Sequence, residues 1–97
     1  MNPFKGTPGP WSYEGGNNEN CEVQAKDTTI DLTRCDRNTG EHVISREEME
    51  ANARLIAAAP ELLQVCLKFH QHISESLMAK SPFGLDEAIN KALGKEQ

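Results

Sequence analysis

Residues 45–63 read SREEMEANARLIAAAPELL, and the organisation of the chain follows from where this stretch begins and what it becomes. Ser45 followed three residues later by Glu48 forms a capping box, in which the serine hydroxyl accepts from the third helical amide and the glutamate reaches back to the serine amide. A helix is therefore expected to start here. Met49, Ala53, Ile56, Pro60, Leu63, Leu67, His70, Ser74 and Leu77 recur at spacings of four and three. Asn52, Leu55, Ala59, Leu62, Cys66, Phe69 and Ile73 widen the stripe, so the reading predicts a broad buried face. Pro60 interrupts it, because an interior proline removes one hydrogen bond and clashes with the preceding turn, at a cost of around 3 kcal/mol. A kink or a break is expected there, and since proline suits a first turn the economical reading is two helices, about Arg46 to Ala58 and Pro60 to about Ala79.

Upstream the periodicity changes. Cys21, Val23 and Ala25 alternate with polar residues, Lys26 and Asp27 make a turn, and Ile30 and Leu32 alternate again, which predicts two antiparallel strands. Asp36 to Gly40 reads as a further turn, and Glu41 to Ile44 as a third strand with Val43 or Ile44 inward. Residues 1–20 are loop chemistry around one short strand, with Pro8 and Pro10 holding Trp11 on a stiff segment. Trp11 reads first as a lid over a small core and second as a ligand-stacking group. Downstream, Lys80 to Gly84 ends the second helix, and Asp86 to Leu93 forms a short third one with Ala88, Ile89, Ala92 and Leu93 inward and Gly94 as its stop. The expected fold class is α+β: a small antiparallel β-meander followed by two or three helices, in one domain of loop and strands over 1–44 and helices over 45–97.

Composition bounds the function. A chain of 97 residues with 37% hydrophobic and 5% aromatic residues makes a thin core, so a homo-oligomer joined through helical faces is expected. The net charge of −5 argues against a nucleic-acid duplex or an anionic membrane as partner. Cys21, Cys35 and Cys66 lack C-x-x-C spacing, and without a signal peptide they read as reduced thiols in a cytosol. Cys66 and His70 stand one helical turn apart with His72 nearby, but two ligands do not close a zinc site, and neither a metal nor a cofactor is expected. An enzyme is not expected either, because there is no nucleophile elbow, phosphate-cradling glycine loop or paired-histidine metal motif.

Thr7-Pro8-Gly9-Pro10-Trp11 and Ala51-Asn52-Ala53-Arg54-Leu55-Ile56-Ala57-Ala58-Ala59-Pro60-Glu61-Leu62-Leu63, in that order and separation, resemble a family of small proteins of tailed phages and prophages, to which the Ead-like early proteins of lambdoid phages are also similar. The layout is similar to that of the sponge proteins that counter Thoeris defence. The resemblance implies a phage protein in the host bacterial cytoplasm that sequesters a nucleotide-derived immune signal, a cyclic ADP-ribose isomer or a cyclic oligonucleotide, without cleaving it. The alternative is a protein-binding inhibitor of a host defence effector, with Glu47, Glu48, Glu50 and Glu61 as an acidic docking surface.

A pocket for a diphosphate and a purine calls for arginine forks, helix N-terminal amides and an aromatic wall. All four arginines, Arg34, Arg37, Arg46 and Arg54, lie between residues 34 and 54. With Trp11 and Asn52 they are the candidate ligand residues, and Phe4 or Tyr13 are further stacking groups. Arg54 is the weakest of the set, since Glu50 one turn before it is placed for an ordinary surface pair. Asn52 either contacts ligand, caps, or bridges subunits.

Overall fold

The computed structural model describes residues 4–75 and 82–95. The chain falls into two compact units, Thr7–Pro60 and Met1–Gly6 with Glu61–Gln97.

The first unit carries the sheet. β1 (Trp11–Gly16), β2 (Asn20–Ala25) and β3 (Thr28–Thr33) are antiparallel neighbours in the order β1-β2-β3. Alternation places Cys21, Val23 and Ala25 on the covered face of the central strand, where all three are buried. β2 and β3 pair from Asn20 with Thr33 to Ala25 with Thr28, which leaves Lys26 and Asp27 as the connecting turn. Lys26 takes a left-handed φ of 59° there. The register of β1 on β2 slips between Tyr13 and Gly15. Gly15 has φ 81°, the conformation that such a bulge requires and that a residue without Cβ adopts at little cost.

The predicted third strand at Glu41–Ile44 does not form. The backbone there makes a single bridge, His42 to Cys35, and the third strand is instead Trp11–Gly16, the short strand expected among the N-terminal glycines and prolines. Ile44 is half-buried against the core while Val43 is exposed.

α1 (Arg46–Glu75) starts where the capping box placed it. The Glu48 amide donates to Ser45 Oγ at 3.0 Å and the Met49 amide to the Ser45 carbonyl at 3.1 Å. The helix runs unbroken through Pro60, which corrects the expected split. A proline removes one bond, at about 3 kcal/mol. The alanine, leucine, glutamate and glutamine residues on both sides are strong helix formers and carry the helix across. Pro60 is also the last residue of the first unit. The expected helix end near Ala79 lies outside the described residues.

The core of the first unit is Cys21, Val23, Met49 and Ala53, with Trp11, Tyr13, Ile30, Leu32, Ile44, Ile56 and Ala57 packed around it. In the second unit α2 (Leu85–Leu93) follows a short turn at Pro82–Gly84. Ile73 and Ile89 are buried, and His70 Nε2 lies 2.5 Å from Asp86 Oδ1. Gly94 stops α2 as expected, with its amide and that of Lys95 closing on the Lys91 and Asn90 carbonyls. Of the residues expected inward on α2, Ile89 is buried and Leu93 half-buried, while Ala88 and Ala92 are exposed. The broad buried face of α1 is narrower than its periodicity suggested. Asn52, Leu55, Ala59, Leu62 and Phe69 are exposed, and Leu77 lies outside the described residues.

Burial in the core pushes the Cys21 thiol above its ordinary value of 9.0; the Glu50 carboxylate adds to this and Arg54 opposes it. The unfolded chain therefore releases this proton at lower pH than the folded one. The associated stability is complete below the ordinary value and falls as pH rises through it towards the folded value. Urea midpoints should accordingly drop above pH ~9 in the native chain and drop less steeply in Cys21→Ala. Equal slopes in the two proteins would remove Cys21 as the cause.

Candidate functional site

The four arginines enter the structure by different routes. Arg34 follows β3, and its Nε donates to the Ile44 carbonyl at 2.9 Å while Nη1 donates to the Asn18 carbonyl and Oδ1 at 3.3 and 3.4 Å. These bonds tie the 34–44 loop to the turn before β2 and engage Nε and Nη1 of the guanidinium within the fold. Arg46, in the first turn of α1, pairs with Glu50 at 3.0 Å. Arg37 is exposed in the turn from Asp36 to Gly40. Asp36 organises that turn: its Oδ1 accepts from the Asn38 and Thr39 amides at 2.8 and 3.0 Å, and these two donors hold its carboxyl below the usual range. Gly40 closes it with φ 76°.

Arg54 stands differently. Spacing offered it to Glu50, but Glu50 is taken by Arg46, and the Arg54 guanidinium lies over the Tyr13 ring at 4.8 Å from the centroid. Tyr13 is on β1, half-buried at the edge of the core, and Arg54 is exposed on α1. Stacking restricts a guanidinium without consuming its N–H donors. The pair therefore combines an aromatic face with a cation able to grip an anion through two bonds. Among the described residues this contact joins two of the candidate groups, and it uses the arginine that sequence spacing ranked lowest.

Trp11, two residues before Tyr13, packs on the same core, and its Nε1 donates to the Thr7 carbonyl at 3.1 Å. That is the lid role. Asn52 is exposed on α1. A shallow groove at the β2–β3 turn is lined by Thr7, Pro8, Ala25, Lys26, Asp27 and Thr28, none of them a candidate ligand residue.

Three metal-ligating side chains converge in the first unit: Glu19, Cys35 and His42 each offer one ligand atom, all within 4.8 Å of one another. Cys66, the thiol that helical spacing linked to His70, is not among them. The trio escaped sequence reading because its members are 16 and 7 residues apart. The signal was a cysteine and a histidine flanking the turn at Asp36–Gly40, which only hairpin register turns into a contact.

Among the described residues no helix is long and apolar enough to cross a membrane. A family model described as Salmonella phage P22 protein Y8K6 matches residues 1–96. No curated protein and no solved structure matches the chain.

Proposed function

This chain belongs to the family of Salmonella phage P22 protein Y8K6, and on that premise we propose that it is a counter-defence binding protein, not an enzyme, that sequesters a nucleotide-derived immune signal in the host cytoplasm. The observation that carries the reading is the Arg54 guanidinium stacked on Tyr13, released from Glu50 by Arg46. A base stacks on an aromatic face and a phosphate accepts from an arginine fork, so the pair offers both halves of a nucleotide contact. Arg34 is a scaffold residue in this reading and Arg37 the remaining exposed arginine.

Titration of the purified chain with cyclic ADP-ribose isomers and cyclic dinucleotides tests it. Wild type is expected to bind one of them, and Arg54→Ala to weaken binding roughly 10- to 100-fold through loss of charge-assisted bonds. Arg54→Lys should not restore it, because an ammonium neither stacks flat nor donates as a fork. Unchanged affinity in Arg54→Ala overturns the site. An absence of binding to the whole panel promotes the inhibitor of a host protein instead, although Glu50 of its acidic surface is already engaged by Arg46.

The proposed protein acts as a homo-oligomer, and α1 supplies the contact. Leu62, Val65 and Phe69 are 50%, 64% and 48% exposed, and Glu61 and Lys68 flank them on the same helix. Leu62 to Val65 and Val65 to Phe69 are spacings of three and four, the pattern of a helix-pairing seam. The flanking charges choose the partner. In an antiparallel pair about a two-fold axis near Leu63 and Gln64, Leu62 meets the partner's Val65 and Glu61 meets the partner's Lys68, each contact occurring twice. A parallel pair would place like charges side by side. In this pairing the seam is self-complementary in its apolar spacing and its charges, which is what a second copy of this chain requires.

A further inference from the structure

We propose that Glu19, Cys35 and His42 form a binding site for a thiophilic divalent cation, zinc in the first instance, that staples the 34–44 loop to the turn before β2. The three ligand atoms lie within 4.8 Å of one another, and Cys35 Sγ is 3.7 Å from Glu19 Oε2. Tetrahedral zinc, with bonds of about 2.0 to 2.3 Å, sets its ligand atoms ~3.4 to 3.8 Å apart. The Cys35–Glu19 pair already stands at that spacing, and a 4.8 Å upper limit for the others leaves side-chain adjustments of about 1 Å.

The backbone under each ligand is fixed by bonds that do not involve the ligand atoms. Cys35 and His42 face each other as an antiparallel bridge, and the bridge is continued by Val43 N to the Arg34 carbonyl at 2.8 Å and Asp36 N to the Glu41 carbonyl at 2.6 Å. The Glu19 carbonyl accepts from the Arg34 amide at 3.0 Å and from Thr33 Oγ1 at 3.3 Å. Asn17 Oδ1 takes the Glu19 amide at 2.8 Å. A cation therefore meets three ligands on backbone that is already ordered, and little loop entropy remains to be lost.

The donor set selects the ion. One sulfur, one imidazole nitrogen and one carboxylate oxygen suit zinc and its soft neighbours and do not suit calcium or magnesium, which demand oxygen shells. The Cys35 S–H bond breaks as the sulfur–metal bond forms, and its proton passes to the buffer. Thiolate and carboxylate then balance the two charges of the ion, with water in the fourth position. Glu19 and His42 are exposed, so the ion enters directly from solvent. Arg37 rides on the stapled turn, and metal binding would fix that exposed cation in place.

The test uses the full chain, reduced and stripped with a chelator, titrated with cobalt and then zinc. The expected result is a thiolate-to-cobalt charge-transfer band saturating at one equivalent, bleached by zinc, with a rise in melting temperature on zinc addition. Cys35→Ser should abolish the band, and His42→Ala and Glu19→Gln should each weaken binding at least ~10-fold. Cys21→Ala and Cys66→Ser should leave the band in place. Because His42 is exposed, its variant keeps the test decisive if Cys35→Ser folds poorly. The assignment is overturned by absence of the band, by a band that survives Cys35→Ser, or by one that disappears in Cys66→Ser.

Discussion

Met49→Ala is expected to destabilise the chain by about 2 to 5 kcal/mol, the range for truncating a fully buried long side chain. Met49 is completely buried among Cys21, Val23 and Ala53 and is the largest of the side chains with no exposure. It joins the first turn of α1 to the central strand, and the thiol of Cys21 reaches its carbonyl at 4.0 Å. The four buried residues of this cluster leave few neighbours able to collapse into the space. In a chain this short each kcal/mol moves the melting temperature by roughly 4 to 8 °C, so the drop should be at least ~8 °C. Leu55→Ala, on the exposed side of the same helix, should change stability by no more than ~0.5 kcal/mol. Comparable losses from the two variants in urea denaturation would mean that the sheet and the start of α1 are not held by this core.

If α1 pairs as proposed, Leu62→Glu should leave a monomer, an effect amplified because a symmetric seam receives the new carboxylate twice. The charge pattern allows a sharper version. Glu61→Lys alone sets a lysine against the partner's Lys68 at each end of the seam and should dissociate the pair. Lys68→Glu alone should do the same with carboxylates. The double variant Glu61→Lys with Lys68→Glu restores opposite charges at both ends of the seam and should restore the dimer. Analytical ultracentrifugation distinguishes the outcomes. A wild-type monomer at millimolar concentration, or a double variant no better than either single one, contradicts the antiparallel pairing.

The parts of the fold legible in the sequence are those set by near neighbours. Ser45 and Glu48 mark the start of α1 because a cap is a local arrangement of one hydroxyl and one amide. The alternation of Cys21, Val23 and Ala25 marks β2 because a half-buried strand repeats every two residues. Gly94 marks the end of α2 because a helix closes there in a left-handed conformation. The weaker readings all depend on tertiary context. The short strand expected within residues 1–20 forms at Trp11–Gly16, and its place in the sheet, with Gly15 at a bulge, was what the glycines and prolines around it concealed. Pro60 looks like a break because its local penalty is visible and the propensity of its flanks is spread over many residues. Leu55, Leu62 and Phe69 belong to the apolar stripe of α1 and are exposed, so its periodicity overstated burial.

The candidate residues were legible in the sequence, and their partners in the fold were not. Glu50 has an arginine one turn away on each side, Arg46 and Arg54, and helical spacing alone cannot choose between them. Tyr13 decides, by taking Arg54 onto its ring. Arg34 has the same chemistry as Arg54 but emerges beside Asn18 and Ile44, whose oxygens accept from its Nε and Nη1. The metal-ligating trio needed the pairing of Cys35 with His42, a consequence of register that no local pattern announces.

The most direct measurement is native mass spectrometry of the chain purified from cells with an active nucleotide-signalling defence, compared with the denatured sample and with Arg54→Ala. The sequestration account predicts an oligomer of the native chain that releases a phosphate-containing small molecule in fixed ratio, and an Arg54→Ala oligomer that carries none. An empty wild-type oligomer that also ignores added cyclic dinucleotides and ADP-ribose isomers would contradict it.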